Sequence, residues 1–372
     1  MTMRQNGSLR AATVCTAPAL AVACVWLATA SLGAQTAAVG KAAPTKNAAE
    51  RWSPSRTPWG DPDLQGVFSN ADEYGLPFER PTEYEGRRLE DISPAEMARI
   101  VTDRQRDIVA RAASVGSGPL GVPLHWFEFY GAKNRRAWMV ADPPDGKIPP
   151  VTAEAQRRLA LRAELRGGRG PADSYEDRSL YDRCITRGVP GSMMPAQYGD
   201  AYQIVQGPGY VALNIEMVHE TRIIPLDGRP HVSPKVRLDM GDPRGHWEGN
   251  TLVVETTNVT NRAAYRNSNG ATLTIVERFT PIDPDTVEWL VTLTDPSTWP
   301  RPWTFGMHLT KKTDAERPFE YACHEGNYGL QNILSAARAE ERAIADAAKK
   351  GIVGPAPSAF PREAEGEERS GR

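Results

Sequence analysis

Hydrophobic and polar residues alternate along the chain from about Tyr202 onward, in short runs separated by turn residues. In the run TVEWLVTLT, Val287, Trp289, Val291 and Leu293 share one face, opposite Glu288, Thr292 and Thr294. This period of two is typical of a β-strand with one buried face. Turn signals at 207–209, 227–228, 249–250 and 283–285 divide the region into about eight strands.

Short connections between successive strands predict a meander. Such a sheet protects its edges best by closing. We therefore predict a mainly β fold, an antiparallel up-and-down barrel or a strongly curled sheet, over residues 201–328. A two-sheet sandwich is the alternative. The segment FEYACHE, 319–325, is predicted to form the last strand.

Helical signals flank this β region. Residues 93–96, SPAE, form a capping box with proline at the first helical position, which predicts a helix over 93–114. Thr152 caps a second predicted helix that ends at 167–168, Gly-Gly. Residues 52–200 are thus expected to form an N-terminal arm and helical subdomain. A C-terminal helix is predicted over 329–350.

The first 34 residues contain two arginines followed by a long uncharged apolar run. This order predicts a signal peptide, with cleavage after Ala30 or Ala34, and an uncleaved anchor is the alternative. We predict a flexible spacer over 35–51 and a disordered tail over 351–372. The chain is therefore expected to be periplasmic or secreted, without stable membrane insertion after cleavage.

Composition narrows the class of protein. The 372 residues contain 31 Pro and 32 Gly, which favours many turns over a helical bundle. Loss of Arg4 and Arg10 with the leader would change the net charge from −2 to −4. No basic stripe for nucleic acid is present. The oligomeric state is not determined by these patterns.

The four cysteines divide between the leader and the rest of the chain. Cys15 and Cys24 lie in the predicted signal peptide, which leaves Cys184 and Cys323. Two cysteines in an exported chain are most simply explained by one disulfide.

Polar residues interrupt apolar strands in EMVHETRIIPLDGRPH. On an extended strand Glu216 and His219 face opposite sides, and Arg222 lies on the following strand. In a barrel mouth, His219 could move a proton, Glu216 could orient it and Arg222 could stabilise negative charge. The structural alternative is a Glu216–Arg222 cross-strand pair with His219 as a hydrogen-bonded core residue.

The segment YACHEGN offers a thiol, an imidazole and a carboxylate in sequence. Alternation places Tyr321, Cys323 and Glu325 on one face and His324 on the other, which argues against a Cys–His nucleophile pair. His324 becomes a fourth candidate for proton transfer. His219 and His324 with a nearby carboxylate would alternatively form a metal site.

Aromatic and polar residues elsewhere predict a surface for an apolar or ring-shaped ligand, with core packing and solvent exposure as the alternatives. The candidate substrate-binding residues are Trp247, Glu255, Asn258, Trp289, Trp303 and Tyr321.

Long motifs in the chain resemble a known family. The segments TPWGDPDLQGVFSN, RCITRGVPGSMMP, YQIVQGPGYVAL, RIIPLDGRPH, GHWEGNTLVVETTN, ERFTPIDPDTVEW and YACHEGNYGLQNIL are similar to a large family of exported, mostly uncharacterised bacterial proteins. These proteins are common in acidobacteria and in other soil and marine bacteria. The resemblance covers most of the chain after the leader and implies a secreted, β-rich, single-domain protein. It implies no catalytic residue.

The residues together predict an exported barrel that binds a small, partly apolar or aromatic molecule. Acid/base chemistry without a cofactor, as in a lyase, an isomerase or a hydrolase, is the leading expectation. A non-catalytic carrier, a metal-dependent enzyme using His219 and His324, and an envelope interaction protein are the alternatives.

Overall fold

The computed structural model describes residues 52–115, 135–196, 198–313 and 317–353. The predicted leader, the spacer and all but the first three residues of the predicted tail lie outside the described residues.

Ten strands and three α-helices, together with several short 3₁₀ helices, make up the regular structure of these residues. The strands are β1 (Gly66–Ser69), β2 (Val140–Asp142), β3 (Ala201–Gly207), β4 (Tyr210–Ile215), β5 (Glu220–Pro225), β6 (Asp242–Glu248), β7 (Thr251–Thr257), β8 (Thr274–Asp283), β9 (Thr286–Thr294) and β10 (Trp303–Lys311). The helices are α1 (Pro94–Val115), α2 (Ala153–Leu165) and α3 (Tyr328–Lys349).

All ten strands belong to one antiparallel sheet, which confirms the predicted mainly β, barrel-like fold. The strand order is β5-β4-β3-β1-β10-β9-β8-β7-β6, and β2 pairs with another part of β10. The sheet has more strands than the eight or so predicted, because β1 and β2 come from the segment 52–200. Strand β1 joins the two meanders, β3–β5 and β6–β10, because it pairs with β3 and with β10, whereas β2 pairs with β10 alone.

The two edge strands, β5 and β6, approach each other and nearly close the barrel. Eight antiparallel steps separate them, so they run in the same direction. Gly245 on β6 makes the approach possible, because a Cβ there would lie 2.6 Å from Leu226 Cδ2 and 2.7 Å from Ile224 Cγ2. Any larger residue would push the edges apart.

The antiparallel order gives the barrel two different ends. Strands β3, β5, β6, β8 and β10 begin at one end, where β4, β7 and β9 finish. Long segments before β3, between β7 and β8 and between β9 and β10 lie at this loop end, whereas the opposite end carries tight turns at 208–209, 249–250 and 284–285. Loops on a rigid scaffold are where binding and catalytic residues concentrate.

Aromatic side chains fill the barrel interior. In the β9–β10 register Trp289 pairs with Met307 and Val291 with Phe305, and all four are fully buried. The Trp289 ring lies 6.2 Å from the Phe305 ring at 79°, an edge-to-face contact. Because these side chains are fully buried and in contact, the interior is a packed core. Burying each one contributes about 1.5–3 kcal/mol to stability.

The helix predictions are confirmed. Helix α1 spans Pro94–Val115, within a residue of the prediction at each end. The Thr152 hydroxyl caps α2 by accepting from Ala155 N at 3.1 Å. Asn327 caps α3 by accepting from Leu330 N at 3.1 Å. Within the described residues no helix is long and apolar enough to span a bilayer.

Two strand predictions are wrong. FEYACHE is not a strand, because 319–322 lacks regular structure and 323–326 is a turn that leads into α3. His219 also lies off the strand, since Ile215 pairs with Glu220 and the four residues between them form a hairpin loop. Val218 and His219 have positive φ values, 59° and 47°, which abolishes the predicted alternation of side chains there.

Candidate functional site

Three tyrosines meet at the loop end of the barrel, and we call them the tyrosine cluster: Tyr181, Tyr198 and Tyr321. The Tyr181 hydroxyl lies 3.3 Å from both the Tyr198 hydroxyl and the Tyr321 hydroxyl. The rings of Tyr198 and Tyr321 are nearly parallel, with 8° between their planes and 6.3 Å between centroids. Tyr198 is 48% exposed, so one edge of the cluster is open to solvent.

A disulfide assembles this cluster from segments far apart in the chain. Cys184 and Cys323 are bonded, with their Cα atoms 5.7 Å apart, as the sequence predicted. The bond fixes the segment after Tyr181 against the segment after Tyr321. Asn327 Nδ2 reinforces it by donating to the carbonyl of Asp182 at 2.8 Å.

Charge and burial tune the tyrosine hydroxyls. The Arg187 guanidinium lies 5.0 Å from the centroid of the Tyr181 ring, a cation–π contact. Burial raises the pKa of Tyr181 and that of Tyr321. Both hydroxyls therefore stay protonated near neutral pH, where each can donate and accept a hydrogen bond.

The His219 side chain contacts the backbone of the tyrosine cluster. Its Nδ1 lies 2.8 Å from the carbonyl oxygen of Tyr321, and the side chain is exposed. A carbonyl only accepts hydrogen bonds, so Nδ1 carries the hydrogen in the neutral ring. Nε2 is then the nitrogen that can take up a proton.

Three carboxyl groups in or next to this hairpin loop have raised pKa values. Glu220 Oε2 accepts from Ser192 Oγ at 2.9 Å, and burial raises the pKa of Glu220. Burial, and next the negative charge of Asp200, raise the pKa of Glu216. Burial likewise raises the pKa of Asp200, although Ser69 Oγ donates to it at 3.2 Å. Such groups can hold a proton closer to neutral pH than ordinary carboxyls.

The raised pKa of Glu220 predicts a pH-dependent stability. Between the ordinary glutamate pKa and the raised value, the folded protein keeps a proton that the unfolded chain has released, so the free energy of unfolding falls as pH rises. Relative to Glu220→Gln, the wild type should lose up to about 1.4 kcal/mol per pH unit in this window.

Urea unfolding of both proteins at a series of pH values measures this difference. Glu325→Gln, at an exposed position in the turn before α3, is the matched control and should track the wild type. Curves for the wild type and Glu220→Gln that stay parallel across the window would contradict the expectation.

Arg222 lies apart from the site predicted for it. Its side chain points into the barrel, where Nη1 donates to Glu277 Oε1 at 3.0 Å and Nη2 bonds the other carboxylate oxygen. Thr256 Oγ1 lies 3.3 Å from Nη2, and Trp289 Nε1 donates to Glu277 Oε1 at 3.3 Å. Arg222 therefore pairs with neither Glu216 nor any other residue of the hairpin loop.

The remaining candidates are scattered. Trp289 and Trp303 are fully buried in the core, and Trp247 packs against it while half-buried. Asn258 donates to the carbonyls of Val232 and Ser233 at 3.0 and 3.2 Å, which is a structural role.

Neither predicted histidine belongs to a metal-binding group. His324 is exposed in the turn before α3. The part of the chain that the structure describes contains no group of three or more His, Cys, Asp or Glu side chains arranged to hold a metal.

A histidine that sequence reasoning passed over, His231, bridges two carboxylates. Its Nδ1 lies 2.9 Å from Asp242 Oδ2 and its Nε2 lies 3.1 Å from Glu255 Oε1. Asp242 also accepts from Val232 N at 2.9 Å and from Arg244 Nη1 at 2.6 Å. These bonds hold the segment before β6 against the sheet. Glu255, predicted to bind substrate, therefore has a structural partner in His231.

Tyr181, Tyr198, Ser192 and Asp200 were also missed in the sequence. One signal could have found Tyr181: it lies three residues before Cys184, and Tyr321 lies two residues before Cys323. A predicted disulfide therefore brings these two rings close together.

The fold is a nearly closed antiparallel β-barrel with a cluster of three tyrosines at its loop end. No protein-family model matches the chain, and no curated protein matches it. Among solved structures the chain is similar to a secretary abundant heat soluble (SAHS) protein from Ramazzottius varieornatus, at 11% identity and a TM-score of 0.23. The match covers 36% of this chain and 87% of that one.

Proposed function

We propose that this protein binds a small, partly aromatic molecule at the tyrosine cluster. The parallel pair of Tyr198 and Tyr321, open to solvent at one edge, is the observation that carries the proposal. A flat ring can stack on such a pair while the hydroxyls of Tyr181 and Tyr321 orient its polar groups. The positive charge of Arg187, which lies over the Tyr181 ring, favours an electron-rich or anionic substituent.

Acid/base chemistry on the bound molecule is the second part of the proposal. His219 Nε2 can accept a proton, because Nδ1 is held by the Tyr321 carbonyl. Glu216 and Glu220 have raised pKa values and can return a proton as general acids. The tyrosine hydroxyls would then stabilise negative charge, the role that the sequence had assigned to Arg222. This combination suits a lyase, an isomerase or a hydrolase that needs no cofactor.

Export completes the proposal. The Cys184–Cys323 disulfide fits an oxidising compartment, and the resemblance to exported bacterial proteins points the same way. We therefore propose that the protein acts in the periplasm or outside the cell and that it belongs to that family.

Binding of a neutral aromatic probe tests the tyrosine site. Phenol, titrated into the full-length protein by calorimetry, should bind saturably. Tyr198→Leu should weaken binding about three- to tenfold through lost ring stacking. Tyr210→Leu, which removes another exposed tyrosine at the tight-turn end of β4, is the matched control and should leave binding unchanged.

Two outcomes would contradict the proposal. Equal loss of affinity in Tyr198→Leu and Tyr210→Leu would remove the tyrosine cluster from binding. Once native mass spectrometry of periplasmic protein has identified a retained molecule, unchanged turnover of it by His219→Gln would exclude the proton-transfer role. Binding without any turnover by the wild type would identify a carrier.

A further inference from the structure

Five buried hydrogen-bond donors at the loop end of the barrel have no partner within the described residues. They are Nε and Nη1 of Arg158, Nε of Arg266, Oγ of Ser268 and Nε1 of Trp303. Ser268 and Trp303 are fully buried, each with 0% exposure. An unsatisfied buried donor costs about 1–3 kcal/mol. Native structures keep few such groups without a reason, so a cluster of five requires an explanation.

A closed ring of contacts gathers these donors in one place. Arg158 Nη2 donates to Thr298 Oγ1 at 2.6 Å and to the Asn267 carbonyl at 3.3 Å. On one side, Trp299 follows Thr298, and its ring lies 5.4 Å from that of Trp303.

Phe78 closes the ring on the other side. Its ring lies 6.0 Å from the Trp303 ring and 4.1 Å from the guanidinium carbon of Arg266, which precedes Asn267 in the chain. All five donors therefore belong to residues on this ring or, for Ser268, directly next to it.

Arg158 and Arg266 give this group of donors a positive charge. Among the described residues neither Arg158 nor Arg266 forms a salt bridge, and Arg266 instead lies over the Phe78 ring. Asp295, in the segment between β9 and β10 that also carries Thr298, is engaged with other partners. It accepts from Asn269 N at 2.7 Å and from Thr272 Oγ1 at 2.6 Å.

We propose that these donors form a second binding site, which takes the carboxylate group of a small molecule with an apolar body. Guanidinium groups match a planar carboxylate through paired N–H donors. Ser268 Oγ and Trp303 Nε1 add two neutral donors. The rings of Phe78, Trp299 and Trp303 supply the apolar surroundings. The site shares no residue with the tyrosine cluster.

Calorimetry with benzoate tests this site on the full-length protein. Benzoate should bind saturably and more tightly than acetate or inorganic phosphate, because acetate lacks the apolar body and phosphate is tetrahedral. Arg158→Gln should weaken benzoate binding about 10- to 100-fold, since it removes charged donors. Arg157→Gln, the exposed neighbour on α2, is the matched control and should bind as the wild type does.

Trp303→Phe provides a variant that keeps the ring and removes only the Nε1 donor. It should fold and bind benzoate less tightly than the wild type. Tyr198→Leu, in the other site, should leave intact the benzoate binding that Arg158→Gln weakens, which separates the two proposals.

Three results would overturn the second site. Absence of saturable binding for all three probes would mean that water satisfies the donors. Equal weakening by Arg157→Gln and Arg158→Gln would show binding on the surface of α2. Tighter binding of phosphate than of benzoate would contradict the carboxylate assignment.

Discussion

Replacing Glu277 by Ala is expected to lower the free energy of unfolding by about 3–5 kcal/mol, the typical cost of leaving a buried charge unpaired. Arg222 and Glu277 pair inside the barrel with 2% and 0% of their side chains exposed. Removing the carboxylate leaves the Arg222 guanidinium without its ion-pair partner in the barrel interior. It also takes away the hydrogen-bond acceptor of Trp289 Nε1. Urea unfolding at neutral pH measures the loss.

Two further variants show whether burial causes this cost. Glu248→Ala breaks an exposed pair with Arg278, the residue next to Glu277 on β8, and should cost less than about 1 kcal/mol. The double variant Arg222→Met/Glu277→Leu removes both buried charges and should recover most of the lost stability. A Glu277→Ala loss no larger than that of Glu248→Ala would show that solvent reaches the pair.

Removal of the Cys184–Cys323 disulfide is expected to cost about 2–5 kcal/mol, because the bond restricts the unfolded chain. The two cysteines are separated by 139 positions in the sequence, so the restriction is near the upper end of that range. Thermal or urea unfolding of Cys184→Ser/Cys323→Ser measures the loss.

The same double variant should also weaken phenol binding, because the disulfide holds Tyr181 against Tyr321. Benzoate binding at the second site should persist, since Arg158 and Trp303 lie on segments that the disulfide does not join. An unchanged free energy of unfolding, or phenol binding equal to that of the wild type, would contradict this account of the disulfide.

Both proposed sites lie at the loop end of the barrel. The two groups of loops touch, because a Cβ on Gly188 would lie 2.7 Å from the carbonyl oxygen of Ala263. The tight turns of the other end leave little backbone for a site. This division of scaffold and loops is the usual way for a β-barrel to carry function.

Much of the fold followed from local patterns in the sequence. Alternation in 286–294 identified β9 because a strand exposes successive side chains to opposite sides, whatever the rest of the chain does. Thr152 predicted the start of α2 because a cap acts within one helical turn. The Cys184–Cys323 disulfide followed from counting, since only two cysteines lie outside the predicted leader.

The site depended on contacts that no local pattern contains. Arg222 and Glu277 are 55 positions apart, and the inward face of β5 and the closure of the barrel decide that they meet. FEYACHE has the composition of a strand, yet the disulfide and the cap of α3 hold its second half in a turn. Sequence alone thus determined most of the strands, the three α-helices and the disulfide, through interactions between near neighbours and the identity of the two cysteines. The tertiary structure decided which charges are paired, which tyrosines stack and which donors remain without a partner, because these depend on register and closure.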